Sequence, residues 1–188
     1  QAGALTFVAA PDYETKSSYT ATVTASDGTN TTTQNITVAV TDANDNSPVF
    51  TSGATFSAAE NQLAIGAVTA SDPEGDTVTF SVSGSELAIT QAGALTFVAA
   101  PDYETKSSYT ATVTASDGTN TTSQNVTVTV TNVNDNSPVF TSGASFSAAE
   151  NQTSIGTVTA TDADGTAVTF TVSGSELAIT QAGVLTFA

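Results

Sequence analysis

One repeat constrains this chain more than any other feature. "QAGALTFVAAPDYETKSSYTATVTASDGTNTT" runs from Gln1 to Thr32 and returns, letter for letter, from Gln91 to Thr122. A third copy opens at Gln181 as "QAGVLTFA", so Gln1, Gln91 and Gln181 set a period of 90 residues without a gap. Helical solenoid units are shorter, roughly 20–50 residues. A unit of this length is large enough to carry its own core.

Inside each unit the apolar residues alternate. In "YTATVTA", Tyr19, Ala21, Val23 and Ala25 face inward and the threonines between them face out. Ile36, Val38 and Val40 repeat the pattern in "NITVAVT", as do Val78, Phe80 and Val82 in "TVTFSVSG". Strict alternation rich in Val and Thr marks half-buried strands. Asp, Asn, Ser and Gly punctuate the runs, as at Ser116-Asp117-Gly118. No segment reads as a helix. The sequence therefore predicts an all-β fold, in which tandem antiparallel Greek-key β-sandwiches of Ig-like size are joined by short linkers.

The period places a whole repeat at residues 46–135. Its strands are expected near Val49–Ser57, Gly66–Ser71, Thr77–Val82, Leu87–Thr90, Ala94–Val98, Ser108–Ser116 and Thr122–Thr131. Residues 1–45 supply the second half of a preceding repeat, and residues 136–188 the first half of a following one. Each half leaves an edge and half a core open, and the two together make one repeat. Head-to-tail pairing between copies, or excision from a longer fibre, is the expectation. Phe50 and Phe140 are expected in the core, and Pro48 and Pro138 keep the linker from pairing with a strand.

Charge decides which partners are possible. The chain holds 18 acids and 2 bases, a net charge of −16, with no Cys, His, Met or Trp. Phosphate neutralisation needs Lys and Arg, so nucleic acid is excluded as a partner, and an anionic membrane surface likewise. No apolar run is long enough to span a bilayer. Without Cys there are no disulfides. Without His or Cys, and with only Lys16 and Lys106 as bases, catalysis has little to work with. The chain reads as non-enzymatic.

The acids leave the strands and gather in five turns. They are "PDYE" (Asp12, Glu14; Asp102, Glu104), "DANDN" (Asp42, Asp45; Asp135 in the second copy), "AAENQ" (Glu60; Glu150), "SDPEG" and "TDADG" (Asp72, Glu74; Asp162, Asp164), and "ASDG" (Asp27; Asp117). Such crowding is repulsive unless a cation offsets it. Oxygen donors without His or Cys suit a hard cation, calcium above zinc or copper. Asp, Asn and Gly also favour turns for purely local reasons.

"DANDNSPVF", "AAEN", "PDYE", "VTATDADG" and "VTASDG", taken together and in register, resemble cadherin repeats over the whole chain. The near-identity of the copies and the Thr-rich, Cys-free composition look more like the extender repeats of large bacterial (RTX-type) adhesins. The resemblance implies about three calcium ions at each complete junction between repeats. At the first junction it implies Asp12 and Glu14, then Asp42, Asn44, Asp45 and Asn46 in the linker, then Asp72, Glu74 and Asp117. Asp27 stands in the place of Asp117, one repeat earlier. At the second junction it implies Glu60, Asp102, Glu104, Asn132, Asn134, Asp135, Asn136, Asp162 and Asp164. Glu150 serves a third junction. Asn132 replaces the linker's first Asp, so the ion it touches is expected to bind more weakly.

That resemblance implies a calcium-rigidified spacer or adhesion module, extracellular or at a bacterial surface. Its implied partners are calcium, neighbouring copies and cell-surface or matrix ligands. Two other readings stay open. One is a sugar-, ice- or self-binding module using the outward Thr rows, although β-propensity alone accounts for those rows. The other is an accessory domain of a polysaccharide-degrading enzyme. "NTT", "NIT", "NVT" and "NQT" match the glycosylation sequon, which Thr-rich strands generate by chance.

Overall fold

The computed structural model describes residues 3–188, and among them every regular element is a strand. β1 (Ser18–Ser26) and β2 (Thr31–Ala39) form a hairpin whose register runs from Ser18 opposite Ala39 to Ser26 opposite Thr31. The turn between them closes on one carboxylate. Asp27 Oδ1 accepts from the amides of Thr29 (2.8 Å) and Asn30 (2.7 Å). Gly28 takes the φ of +97° that the turn needs.

The next segment carries β3 (Val49–Phe50), β4 (Thr55–Ala59), β5 (Ala64–Ala67), β6 (Ala70–Ser71), β7 (Thr79–Val82), β8 (Leu87–Ile89), β9 (Ala94–Phe97), β10 (Ser108–Ser116) and β11 (Thr121–Thr131). They form a four-stranded sheet in the order β4-β11-β10-β7, a three-stranded sheet β5-β9-β8, and the short pair β3-β6. The strand expected over Val49–Ser57 is split. Thr51 and Ser52 both donate to Thr69 O (2.8 and 3.2 Å), and Thr69 donates to Ser52 Oγ (3.1 Å). A side chain thus ends the ladder with β6, and the chain leaves past Gly53 to join the other sheet. The run expected over Gly66–Ser71 is split around Val68, which is buried and donates to Gly93 O at 2.8 Å.

Burial follows the predicted alternation. Val113 and Ala115 on β10, and Val126, Val128 and Val130 on β11, are buried, with Thr114, Thr127 and Thr129 between them. Val68, Phe80, Leu87, Leu95 and Phe97 are the other large buried residues of this segment. The same sequence behaves differently in its first copy. Val23 corresponds to Val113, yet it is 45% exposed where Val113 is 0% exposed. The inward face predicted for Tyr19–Ala25 is therefore an open face. Phe140 is a correction of the same kind: expected in the core, it is 68% exposed, whereas Phe50 is half-buried against Phe80 at 6.3 Å between ring centres.

The last segment repeats the pattern in part. β12 (Val139–Phe140) pairs with β14 (Ala160–Thr161). β13 (Ser154–Thr157), β16 (Val184–Phe187) and β15 (Leu177–Ile179) form a sheet in that order. Backbone contacts group the chain into two compact units, Gln1–Phe56 with Ala64–Val98 and Thr110–Val128, and Ser57–Leu63 with Ala99–Tyr109 and Thr129–Ala188.

One glycine tests the packing. Gly93 has φ +90°, and a Cβ there would lie 2.1 Å from Val68 O, whereas Gly118 (φ +97°) has open space around it. Gly118→Ala is expected to cost about 1 kcal/mol, from the backbone alone. Gly93→Ala adds a collision with backbone and is expected to cost about 3 kcal/mol or more. Urea midpoints of the two variants check this ordering.

Candidate metal centres

In the first compact unit, Glu14, Asp45 and Glu74 each bring a carboxylate oxygen within 4.8 Å of the others. Three separate loops deliver them. Asp12 fixes the loop of Glu14 by accepting from Thr15 Oγ1 (2.8 Å) and Thr15 N (3.3 Å). Asp72 fixes the loop of Glu74 by accepting from Glu74 N (3.1 Å), and Gly75 turns the chain at φ +83°. Asp45 comes from the linker after β2. Asn46 Nδ2 donates to Asp45 Oδ1 (3.0 Å) and to Glu74. Asn120 Nδ2 donates to Asn44 Oδ1 (2.7 Å) and Asn46 O (2.8 Å), and also reaches Asp117 Oδ2 (3.3 Å).

In the second unit, Glu60, Glu104, Asp135 and Asp164 gather within the same limit. Glu60 is only 4% exposed. Its two oxygens accept from Tyr103 N and Val133 N, each at 2.7 Å, so one buried carboxylate ties the "PDYE" loop to the linker. Asn61 donates to Asp135. Asn136 Nδ2 sits among three carboxylates, at 2.9 Å from Asp135 Oδ1, 2.9 Å from Asp164 Oδ1 and 3.2 Å from Glu104 Oε2. Asn132, the residue that replaces an acid, donates to Asp164 O at 3.1 Å.

Three observations test whether a cation fits. Oxygens bound to one calcium at ~2.5 Å lie at most ~5 Å apart, a limit that both clusters meet. Asp72 Oδ2 and Glu74 Oε2 are buried without a hydrogen-bond partner. A buried anionic oxygen with no donor is costly, and a bound ion is one way to satisfy it. Every donor atom is oxygen, as a hard cation requires.

The comparisons with known proteins agree with this architecture. Residues 44–131 match the family model described as "Bacterial Ig domain". Protocadherin gammaB7 EC3-6, solved as a cis-dimer, superposes with a TM-score of 0.74 at 24% identity, over 94% of this chain and 53% of that one. The protocadherin GammaB4 extracellular domain gives 0.73 at 26% identity, over 95% and 33%. Mouse cadherin-23 EC22-24 gives 0.69 at 26%, over 94% and 66%. The repeats are cadherin-like and Ig-like. The chain spans about half the length of the first of these structures and a third of the second. No curated protein sequence matches.

These cadherin-like repeats do not bring every candidate ligand together. Asp42 and Asp12 act on the Glu14 carboxylate without joining the mutual cluster. Asp102 caps its own turn, accepting from Thr105 N and Oγ1, beside Glu104. Asp162 does the same for Asp164 N (3.1 Å) and Thr166 N (3.3 Å). Asn134 lies exposed in the linker. Asp27 is used by its hairpin turn, and Glu150 is exposed and outside both clusters. The sequence reading passed over Asn61 and Asn120. The signals were there: Asn61 takes a left-handed φ of 64°, which Asn tolerates, and Asn120 closes the "SDGTN" turn.

Crowding shifts the acids in both directions. Burial raises Glu104 above the usual Glu range, against its own backbone amide and with help from the Glu60 and Asp164 charges. Glu14 is also raised: its own amide lowers it, but burial, Asp12 and the Glu74 charge outweigh that. Hydrogen bonds from Thr15 and Thr105 lower Asp12 and Asp102, and the Asn30 and Thr29 amides lower Asp27. Burial acts upward on Asp117, but donors from Asn120 and Thr119 win. The Asn136 amide lowers Asp164 against burial.

A raised acid takes up its proton in the folded state first, so its contribution is present at low pH and lost as pH rises through its folded value. A lowered acid contributes above the ordinary Asp range and is lost only below it. In chelator the melting temperature is therefore expected to rise as pH falls toward the ordinary Glu range, and to drop once pH falls below the ordinary Asp range. A steady fall from neutral pH downward would contradict the raised values. Glu60→Ala removes a buried carboxylate and the acceptors of the part-buried Tyr103 and Val133 amides. That loss outweighs the relieved repulsion on Glu104, and a destabilisation of about 2 kcal/mol or more is expected by urea titration in chelator.

Proposed function

We propose that the chain is a calcium-rigidified structural spacer of a long, surface-attached or secreted bacterial adhesin, and that it is non-enzymatic. The observation that carries this reading is the pair of buried, donorless oxygens, Asp72 Oδ2 and Glu74 Oε2, beside the gathered carboxylates of Glu14, Asp45 and Glu74. Residues 1–45, 46–135 and 136–188 are proposed as half, whole and half repeats, with each linker a calcium junction. Glu14, Asp45, Glu74 and Asp72 would hold ions at the first, with Asp12, Asp42, Asn44, Asn46 and Asp117 completing it. Glu60, Glu104, Asp135 and Asp164 would do so at the second, with Asp102, Asp162 and the linker asparagines. About three ions at a junction would offset about six negative charges.

Each centre draws oxygens from loops on both sides of a linker, so ion binding becomes stiffness. Without the ion, the same carboxylates repel and the linker loosens. Extracellular calcium modules bind at about 10⁻⁴–10⁻³ M. Such sites fill outside a cell and empty inside one, which suits a chain flexible during export and rigid afterwards. The bacterial assignment rests on the family model matched by residues 44–131, and the extracellular one on the extracellular cadherin domains it superposes with. Partners would be calcium, adjoining copies of the repeat, and surface or matrix ligands.

Thermal melts in calcium, magnesium and chelator test this. A tenfold excess of calcium over its dissociation constant is expected to add about 1.4 kcal/mol for each independent site. For a repeat of this size that is a rise of several degrees, specific to calcium. Asp45→Ala and Asp135→Ala are each expected to remove part of the rise. Superimposable melts in all three buffers would end the calcium reading.

A further inference from the structure

One amide nitrogen sits where four oxygens converge. Asn120 Nδ2 lies 2.7 Å from Asn44 Oδ1, 2.8 Å from Asn46 O, 3.3 Å from Asp117 Oδ2 and 3.4 Å from Asn44 O. Asn44 and Asn46 belong to the linker, and Asp117 to the turn after β10. All four residues are half-buried. An amide nitrogen has two hydrogens, so it cannot bond four oxygens well at once. Its partial charge does not neutralise Asp117 either.

A carboxylate, a side-chain amide oxygen and two backbone carbonyls are the oxygen types that calcium accepts, at ~2.3–2.6 Å. The two nearest oxygens need to close by only a few tenths of an ångström to reach that range. The nitrogen and an ion cannot share the place, so an entering ion must turn the side chain out. The backbone around it is held separately. Asn120 N donates to Asp117 Oδ1 at 2.6 Å, and Asn120 O accepts from Asp117 N and Ser116 Oγ, each at 3.3 Å. The side chain can therefore leave while the turn stays. The second linker repeats the theme independently. Asn136 Nδ2 stands among the carboxylates of Asp135, Asp164 and Glu104, while Asn136 N is held by Asp164 Oδ2 at 2.8 Å.

We propose that the Asn120 side chain is a stand-in for a cation. When calcium is scarce, its amide ties the linker to the turn after β10. When calcium binds, the amide is displaced and the same oxygens pass to the ion. Asn120 thus competes with calcium. It limits how far the linker loosens without the ion, and it raises the calcium concentration at which the site fills. This inference rests on the calcium reading and adds to it a residue that opposes binding.

Breaking the Asn120–Asn44 bond from either end separates competition from ligation. Full-length Asn120→Ala and Asn44→Ala chains are melted in chelator and then titrated with calcium by calorimetry, beside the parent. In chelator both are expected to melt a few degrees below the parent, because each loses the same tie. In calcium they are expected to part. Asn120→Ala lowers the titration midpoint about twofold to tenfold, the weight of one net hydrogen bond. Asn44→Ala removes an oxygen from the shell and raises the midpoint. With a parent that responds to calcium, an Asn120→Ala midpoint at or above the parent's overturns the proposal and leaves the calcium reading standing. An Asn120→Ala chain that melts with the parent in chelator also overturns it. A parent indifferent to calcium removes the calcium reading, and this proposal with it.

Discussion

Like charge held close together is the constraint around which these repeats are organised. Glu60, Glu104, Asp135 and Asp164 meet within 4.8 Å in a chain whose two lysines lie over tyrosine rings, Lys16 on Tyr19 and Lys106 on Tyr109. In water such repulsion is modest; Glu104 is raised first by loss of hydration and then by the charges of Glu60 and Asp164. The fold answers with dipoles. The amides of Tyr103 and Val133 hold Glu60, and the Asn136 side chain screens three carboxylates at once. Dipoles carry partial charge only, so they relieve the crowding without cancelling it.

That balance explains why amides recur beside the acids. Asn46, Asn61, Asn120 and Asn136 each donate to an acid or to a linker oxygen. The two linkers differ at two positions, Asp42 against Asn132 and Ala43 against Val133. Asp42 is a charge, and Asn132 in the same place is a donor that engages Asp164 O. The second linker therefore carries one less negative charge than the first.

The strands and the acid-bearing turns were legible from the sequence, because alternation and turn residues act locally. The splits at Thr51–Ala54 and at Val68 were not. They depend on Ser52 meeting Thr69 and on Gly93 meeting Val68, pairs distant in sequence. Asn61 and Asn120 escaped notice because an amide reveals its role only once its acceptors are placed.

The 90-residue repeat and its alternation determined the all-β architecture, the spacing of the turns and the gathering of acids in them. Only the tertiary structure decided which of those acids meet and which faces are covered. Val23 and Val113 show why. They share one sequence environment for many residues on either side, yet one is half in solvent and the other has none. Burial depends on what packs against a strand, and no strand encodes that by itself.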